Sequence, residues 1–358
     1  MFVGQDNNNE GASNGSKTKV ADSGGLSGSR LGVRGSEALG DGWRARIVLE
    51  QGINHDTGTL SQGGRSWGRQ ATIGLSGPLG SLDLGRRESA YYGFRNGFVA
   101  IITTAAFDPV GPVFGEVNPS RVATTGGVRT SDTNTSTSIA NTAIDGTSAV
   151  APGDYTTRYD NHLHYESPRL GPLQLAVGVV APEDRRSVAG TRGAATRAMS
   201  AAINLRGESW RVSLAMQSEK YRTSISSAGV AQGRAEKTVV AFGVGYEFGI
   251  VRVAAFVNQD EFVAVNGTKE KATEWAAGVT VPLGAVSIDA MVAEGRIKGV
   301  KQKGSGFGLV VRYDLSQRTD VYLGHRSNRD DNSPTTGTTV RTARVKDTLT
   351  GVGVRHRF

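Results

Sequence analysis

Five histidines and no cysteine bound the covalent and metal chemistry open to this chain. The histidines are His55, His162, His164, His325 and His356. His162 and His164 lie two apart in an alternating segment, so they share one strand face and could hold a metal ion. The plainer expectation is a polar pair on an aqueous surface, with no metal. Without cysteine, disulfides, thiolate metal sites and cysteine nucleophiles are excluded. No Gly-x-Ser-x-Gly elbow and no His-Glu-x-x-His pair is present, so no catalytic residue and no cofactor is assigned. Chemistry of another kind lies in charged strand faces. Arg30 and Arg34 share a face, with Ser29, Leu31 and Val33 on the other. Arg44, Arg46, Glu50 and Asn54 oppose Trp43, Ala45, Ile47, Leu49 and Ile53. Charges in such rows act on ions through their field, not through bond making.

The elements that must position these faces are strands. The chain has 358 residues, of which 49 are Gly, and its hydrophobic share of 37% argues against a large solid core. The net charge of +8 comes from 41 basic and 33 acidic residues spread along strand-like segments. No nucleic-acid motif and no Lys/Arg-rich pentamer appears, so no nucleic-acid partner is expected. The best apolar run, Phe98 to Phe107, includes two Thr and falls short of the ~18 residues of a membrane helix. That does not exclude a membrane barrel, whose strands are apolar on one face only.

Alternation predicts strands near 27–38, 43–54, 67–77, 81–88, 157–167, 173–181, 196–207, 209–220, 237–248, 250–261, 272–282, 285–296, 303–315, 319–329 and 345–358. Many approach the ~9–11 residues with which a tilted strand crosses a bilayer. Connections alternate in length. Short ones such as Gly77-Pro78-Leu79-Gly80 and Phe248-Gly249 alternate with long polar ones at about 55–66, 89–156, 182–195, 221–236, 262–271, 297–302 and 330–344. In an up-and-down meander this trims one end and elaborates the other, as in outer-membrane barrels. A soluble or surface-attached β-rich binding or adhesion protein would share the alternation, but not a dependence on detergent. Segment 124–153 is low in complexity, and strand patterning resumes after it with the same character. No domain boundary is placed there, and residues 1–358 are read as one barrel domain.

Several motifs carry a family resemblance. Ser29-Arg30-Leu31-Gly32-Val33-Arg34-Gly35-Ser36-Glu37, followed by Leu49-Glu50-Gln51-Gly52, resembles the general diffusion porins of Gram-negative outer membranes. So does Arg69-Gln70-Ala71-Thr72-Ile73-Gly74-Leu75-Ser76-Gly77 with Leu84-Gly85-Arg86. Arg158-Tyr159-Asp160-Asn161-His162-Leu163-His164-Tyr165-Glu166-Ser167-Pro168 is similar to the strand after the family's long third loop, and Gly351 to Phe358 to the neisserial and betaproteobacterial ending. The resemblance implies an all-β, sixteen-stranded antiparallel transmembrane barrel with an inward-folded third loop, here 89–156. It implies a homotrimer in the outer membrane, in contact with lipid and lipopolysaccharide, inserted by the barrel-assembly machinery and passing small hydrophilic or anionic solutes. It also implies a constriction with a basic wall of Arg30, Arg34, Arg69 and Arg158. Glu50, Asp108, Val113 and Glu116 stand for the acidic or loop-three side, and Phe358 for the assembly signal.

Two departures from the family pattern matter. Val113 stands where many relatives carry a loop glutamate, which tilts the expected selectivity toward anions. Alternation places Arg30 and Arg34 on the pore face but leaves Arg69 with the parity of Ile73, so its assignment rests on the resemblance. Met1 to Asp6 resemble the end of the family's first strand, with an external loop expected at about 7–26. A signal peptide and the start of that strand are then expected upstream, and this chain alone is expected to leave its barrel seam partly unpaired.

Overall fold

The structure is a computed structural model that describes residues 1–10, 13–99, 101–102, 106–110, 158–181, 196–222, 234–263, 269–298, 303–331 and 345–358. Among these, eighteen extended elements follow in order: β1 (Phe2–Glu10), β2 (Ser13–Asp22), β3 (Arg30–Gly40), β4 (Trp43–Asn54), β5 (Thr59–Leu60), β6 (Gln70–Gly77), β7 (Gly80–Glu88), β8 (Arg158–Glu166), β9 (Leu173–Val180), β10 (Thr196–Arg206), β11 (Trp210–Arg222), β12 (Arg234–Glu247), β13 (Arg252–Val263), β14 (Lys269–Leu283), β15 (Val286–Ile297), β16 (Lys303–Asp314), β17 (Thr319–Asp331) and β18 (Val345–His356). They form one antiparallel sheet. β5 is a two-residue arm on β4, and β2 is the return arm of a hairpin with β1. Sixteen strands are left to form the wall, the number that the family resemblance implies.

The wall is a meander of hairpins. One of its two-residue corners is Asp41-Gly42, where φ of +49 and +79 gives both central residues the left-handed backbone of a type I′ turn. β1 joins the two chain ends, pairing with β18 from Phe2↔Gly353 to Asn9↔Lys346, while Val354 N donates to Met1 O at 3.0 Å. The first strand therefore reaches Glu10, and a second ladder to Ser13–Asp22 stands where a loop at 7–26 was expected. The polar run Asn7-Asn8-Asn9 hides this strand from any apolar count, because a ladder is held by backbone groups. In these registers β3 pairs with β4 and β2 with β1, and all of β3 is exposed.

Burial alternates as a membrane barrel requires. On β12, Val240, Phe242, Val244 and Tyr246 are exposed while Lys237, Val239 and Ala241 are buried. Leu214, Trp275, Val292, Leu323 and Val352 extend the exposed apolar belt to other strands. Among the described residues no helix is long and apolar enough to cross a membrane, which leaves strand crossing open.

The apolar core lies inside the ring, between the wall and the third loop. Ser89 Oγ accepts from Tyr92 N at 3.1 Å and starts the helical turn Ala90–Gly93, which passes into a π turn over Phe94–Val99. Ala90 N then donates to Ser200 Oγ on β10 at 3.0 Å, and Phe94 sets its ring edge-on to Phe256 of β13 at 6.4 Å. Ile101 lies over Gly278 of β14, where a Cβ would come within 2.8 Å of it. Phe107 covers Gly308 and Gly324 of β16 and β17 and meets the rings of Phe2 at 5.6 Å and Tyr322 at 6.2 Å. Arg326 Nη1 donates to Ala106 O at 2.7 Å. The described part of the third loop thus runs along the inner wall from β10 to β17 and β1, the inward fold that its length and the resemblance implied. The low-complexity segment 124–153 lies outside the described residues.

Candidate functional site

Glu50 stands near the outer end of β4, opposite Gly32 of β3 and Gln70 of β6. Three guanidiniums converge on it. Arg69 Nε donates to Oε1 at 2.7 Å, Arg30 Nη1 lies 3.6 Å from Oε1, and Arg34 Nη2 lies 4.0 Å from Oε2. Arg30 and Arg34 reach it because β3 alternates as its sequence suggests. Arg69 reaches it for a different reason. It precedes the first residue of β6, and two residues earlier Trp67 turns the chain with φ +56. Strand parity with Ile73 therefore does not apply to it, and its backbone N–H donates to Glu50 O at 3.1 Å.

The fourth arginine sits on β8. Arg158 is buried, pairs with Glu88 of β7 through Nη2, and holds its guanidinium 5.6 Å from the ring centroid of Tyr92. Arg30 lies in the field of Glu50 and Glu88 on one side and of Arg69 and Arg158 on the other. The structure thus brings together the four arginines and Glu50.

Neighbouring residues that sequence reasoning had not assigned enlarge the patch. Arg46 binds Asp83 with both Nε and Nη2, at 2.9 and 2.6 Å, and Arg87 bridges Asp83 to Glu166. Arg65 and Arg86 share Asp160, at 2.8 and 2.9 Å. Position 46 had its signal in the face it shares with Glu50. The adjacent Arg86 and Arg87 had none in parity, because Gly85 has φ +124 and the β7–β8 register shifts between Gly85 and Arg87. Along β3 to β8 and their turns, eight arginines face five carboxylates in these contacts, which leaves the patch cationic. These pairs run from half-exposed to buried, and their consequence for passing ions is the field they set.

The other named positions lie apart. Asp108 is inside the third loop, where Arg95 Nη2 donates to its Oδ2 at 2.9 Å and Val110 N to its Oδ1 at 2.8 Å, all deeply buried. Val113 and Glu116 are outside the described residues. Phe358 is fully exposed just past β18, its ring 4.7 Å from that of His356. The histidine pair is not the expected polar pair on an aqueous surface. His162 and His164 are 1% and 2% exposed, because Gly178 and Ser200 close over His162 and Ser200 in turn holds the start of the third loop.

A curved sheet with an apolar outer belt, an ionic inner patch and an inward loop suits passage of ions, not turnover of a bound substrate. Known proteins agree. A family model described as Gram-negative porin matches residues 1–333. An outer membrane porin protein of Bordetella pertussis is 30% identical over 92% of this chain and 82% of its own length. Outer membrane porin protein 32 of Delftia acidovorans is 26% identical over 93% of this chain and 86% of its own. Among solved structures, an anion-selective porin from Comamonas acidovorans superposes with TM-score 0.74 at 21% identity, covering 100% of this chain and 97% of that one. OmpT of Vibrio cholerae in a trimer form gives 0.58 at 11% identity, over 99% and 98%. These relatives give the alternative of a soluble binding or adhesion protein no support. The chain belongs to the Gram-negative porin family and forms a β-barrel channel of the outer membrane.

Proposed function

We propose that this channel prefers anions and that Arg30, Arg34, Arg69 and Arg158, with Glu50 among them, form the basic wall of its constriction. The observation that carries the reading is the convergence of Arg30, Arg34 and Arg69 on the single carboxylate of Glu50. One negative charge cannot neutralise three positive ones, so passing anions meet a residual positive field. On the loop side, Asp108 is engaged by Arg95, which weakens any opposing negative field from that carboxylate. Val113 and Glu116 complete the proposed loop side. The Comamonas neighbour, whose title reads anion-selective, supports the same sign.

Residues 1–358 act in this reading as one barrel domain. The trimer form of the Vibrio neighbour supports a homotrimer. The exposed apolar belt suits membrane lipid and lipopolysaccharide, and the solutes are small, hydrophilic and preferably anionic. Phe358, wholly exposed at the chain end, is proposed as the mark read by the barrel-assembly machinery. Its deletion should lower outer-membrane yield and leave single-channel conductance unchanged; equal yield would refute the mark. For selectivity, the test is the reversal potential of the wild-type channel in a planar bilayer under a potassium chloride gradient. A sign showing chloride to be the more permeant ion supports the reading, and a potassium sign refutes it.

A further inference from the structure

The outward face of β14 to β18 changes character toward the end that carries the long connections. Its belt is apolar, with Trp275, Val292, Phe307, Leu323 and Val352 exposed. Further out on the same faces stand Lys271, Arg296, Lys298, Lys303, Arg329 and Lys346, all exposed or half-exposed. Alternation fixes their direction, since the adjacent Ala272, Gly295, Gly304 and Asn328 are buried on the inner side. None of these six faces the lumen, so the diffusion pathway uses none of them.

The row is cationic. Lys271 Nζ lies 2.6 Å from Glu261 of β13, while Arg296 Nε and Lys303 Nζ share Glu294 at 2.8 and 2.7 Å. Two carboxylates cannot neutralise six cations. The registers sharpen this, because Arg296 stands directly opposite Lys303 and Arg329 directly opposite Lys346. Like charges so placed repel across the ladder, and an anion carrying more than one charge relieves the repulsion. The row is also local. At the corresponding end of β3, β4, β6 and β9 the outward positions are Leu31, Gln51, Ala71 and Val179, which carry no charge.

We propose that Lys271, Arg296, Lys298, Lys303, Arg329 and Lys346 form a docking surface for the phosphate groups of lipopolysaccharide, whose acyl chains lie on the apolar belt beneath them. A free anion would meet the charges and leave the belt uncovered, and a neutral lipid would cover the belt and leave the charges repelling. An amphiphile with phosphates above acyl chains meets both at once. The proposal rests on the belt being a lipid surface and needs no assumption about the Glu50 fan.

The purified barrel in detergent is titrated with bisphosphorylated lipid A and, separately, with the same lipid dephosphorylated, and binding is read by native mass spectrometry. The dephosphorylated lipid should bind about 10–100-fold more weakly. Equal affinity for the two overturns the row and leaves the belt as a lipid surface; binding of neither counts against both. This comparison uses the wild type and depends on no variant. Arg296→Gln, Lys303→Gln, Arg329→Gln and Lys346→Gln combined should bring the phosphorylated lipid down to the affinity of the dephosphorylated one. Arg169→Gln with Arg318→Gln, exposed in turns at the opposite end, should bind it as the wild type does. Unchanged affinity in the fourfold variant, or an equal loss in the twofold one, overturns the proposal.

Discussion

Two stretches of the same barrel wall use one strand architecture for opposite ends. From β3 to β8, inward positions carry arginines and carboxylates in contact with each other and with water. From β10 to β18, many carry glycine, alanine or serine, and the third loop lies against them through Phe94, Ile101, Ile102 and Phe107. The first stretch sets a field and the second sets a bore. Alternation supplies both, because a strand with one face committed to lipid is free to vary the other. The arginine patch of β3 to β8 and the loop's seat are then different parts of the wall, although β11 to β18 also bury charges such as Glu219, Lys237, Asp260 and Glu274.

This division can be broken from the seat side first. Phe107→Ala removes a ring that touches Phe2 and Tyr322, and a buried Phe→Ala costs about 3–5 kcal/mol. The loop should lose its far anchor and single-channel conductance should rise, with the sign of the reversal potential kept. Asp108→Asn leaves Arg95 buried with a weaker partner, and breaking a buried pair costs about 3–5 kcal/mol. The lower end is expected because Arg95 has further contacts. Greater open-channel noise and earlier protease cutting of the third loop would show it. Gly324→Val crowds the Phe107 ring, and overpacking of this kind costs about 1–3 kcal/mol. It should raise conductance less than Phe107→Ala does. From the charged side, Glu50→Gln should change stability by no more than ~1 kcal/mol, while the three guanidiniums it partly neutralises strengthen the anion preference.

The same contrast explains what the sequence made legible. Fifteen strands, the trimmed and elaborate ends, and the shared face of Arg30 and Arg34 follow from alternation and turn chemistry, which are local, whereas the count of sixteen came from the family resemblance. Arg69 escaped parity because the pleat starts one residue later, at Gln70. Arg86 and Arg87 escaped it because a bulge separates them from their neighbours. The β1–β2 hairpin was hidden by its asparagines. The seat was hidden because Gly278, Gly308 and Gly324 look like any strand glycine until the loop is laid on them. The pairing of Asp108 with Arg95 was hidden for the same reason, since it crosses a turn of the loop that no periodicity describes.

The account is tested most directly by one paired bilayer measurement, reversal potential and single-channel conductance on the same channels. The variant replaces Arg30, Arg69 and Arg158 together by Gln. The reversal potential should move toward potassium while conductance stays within about twofold, because the field is lost and, of the loop's described contacts, only that of Arg158 with Tyr92 goes while the seat on β10 to β17 is kept. An unmoved reversal potential in a channel of normal conductance would contradict the assignment of these arginines to the selectivity of the pore.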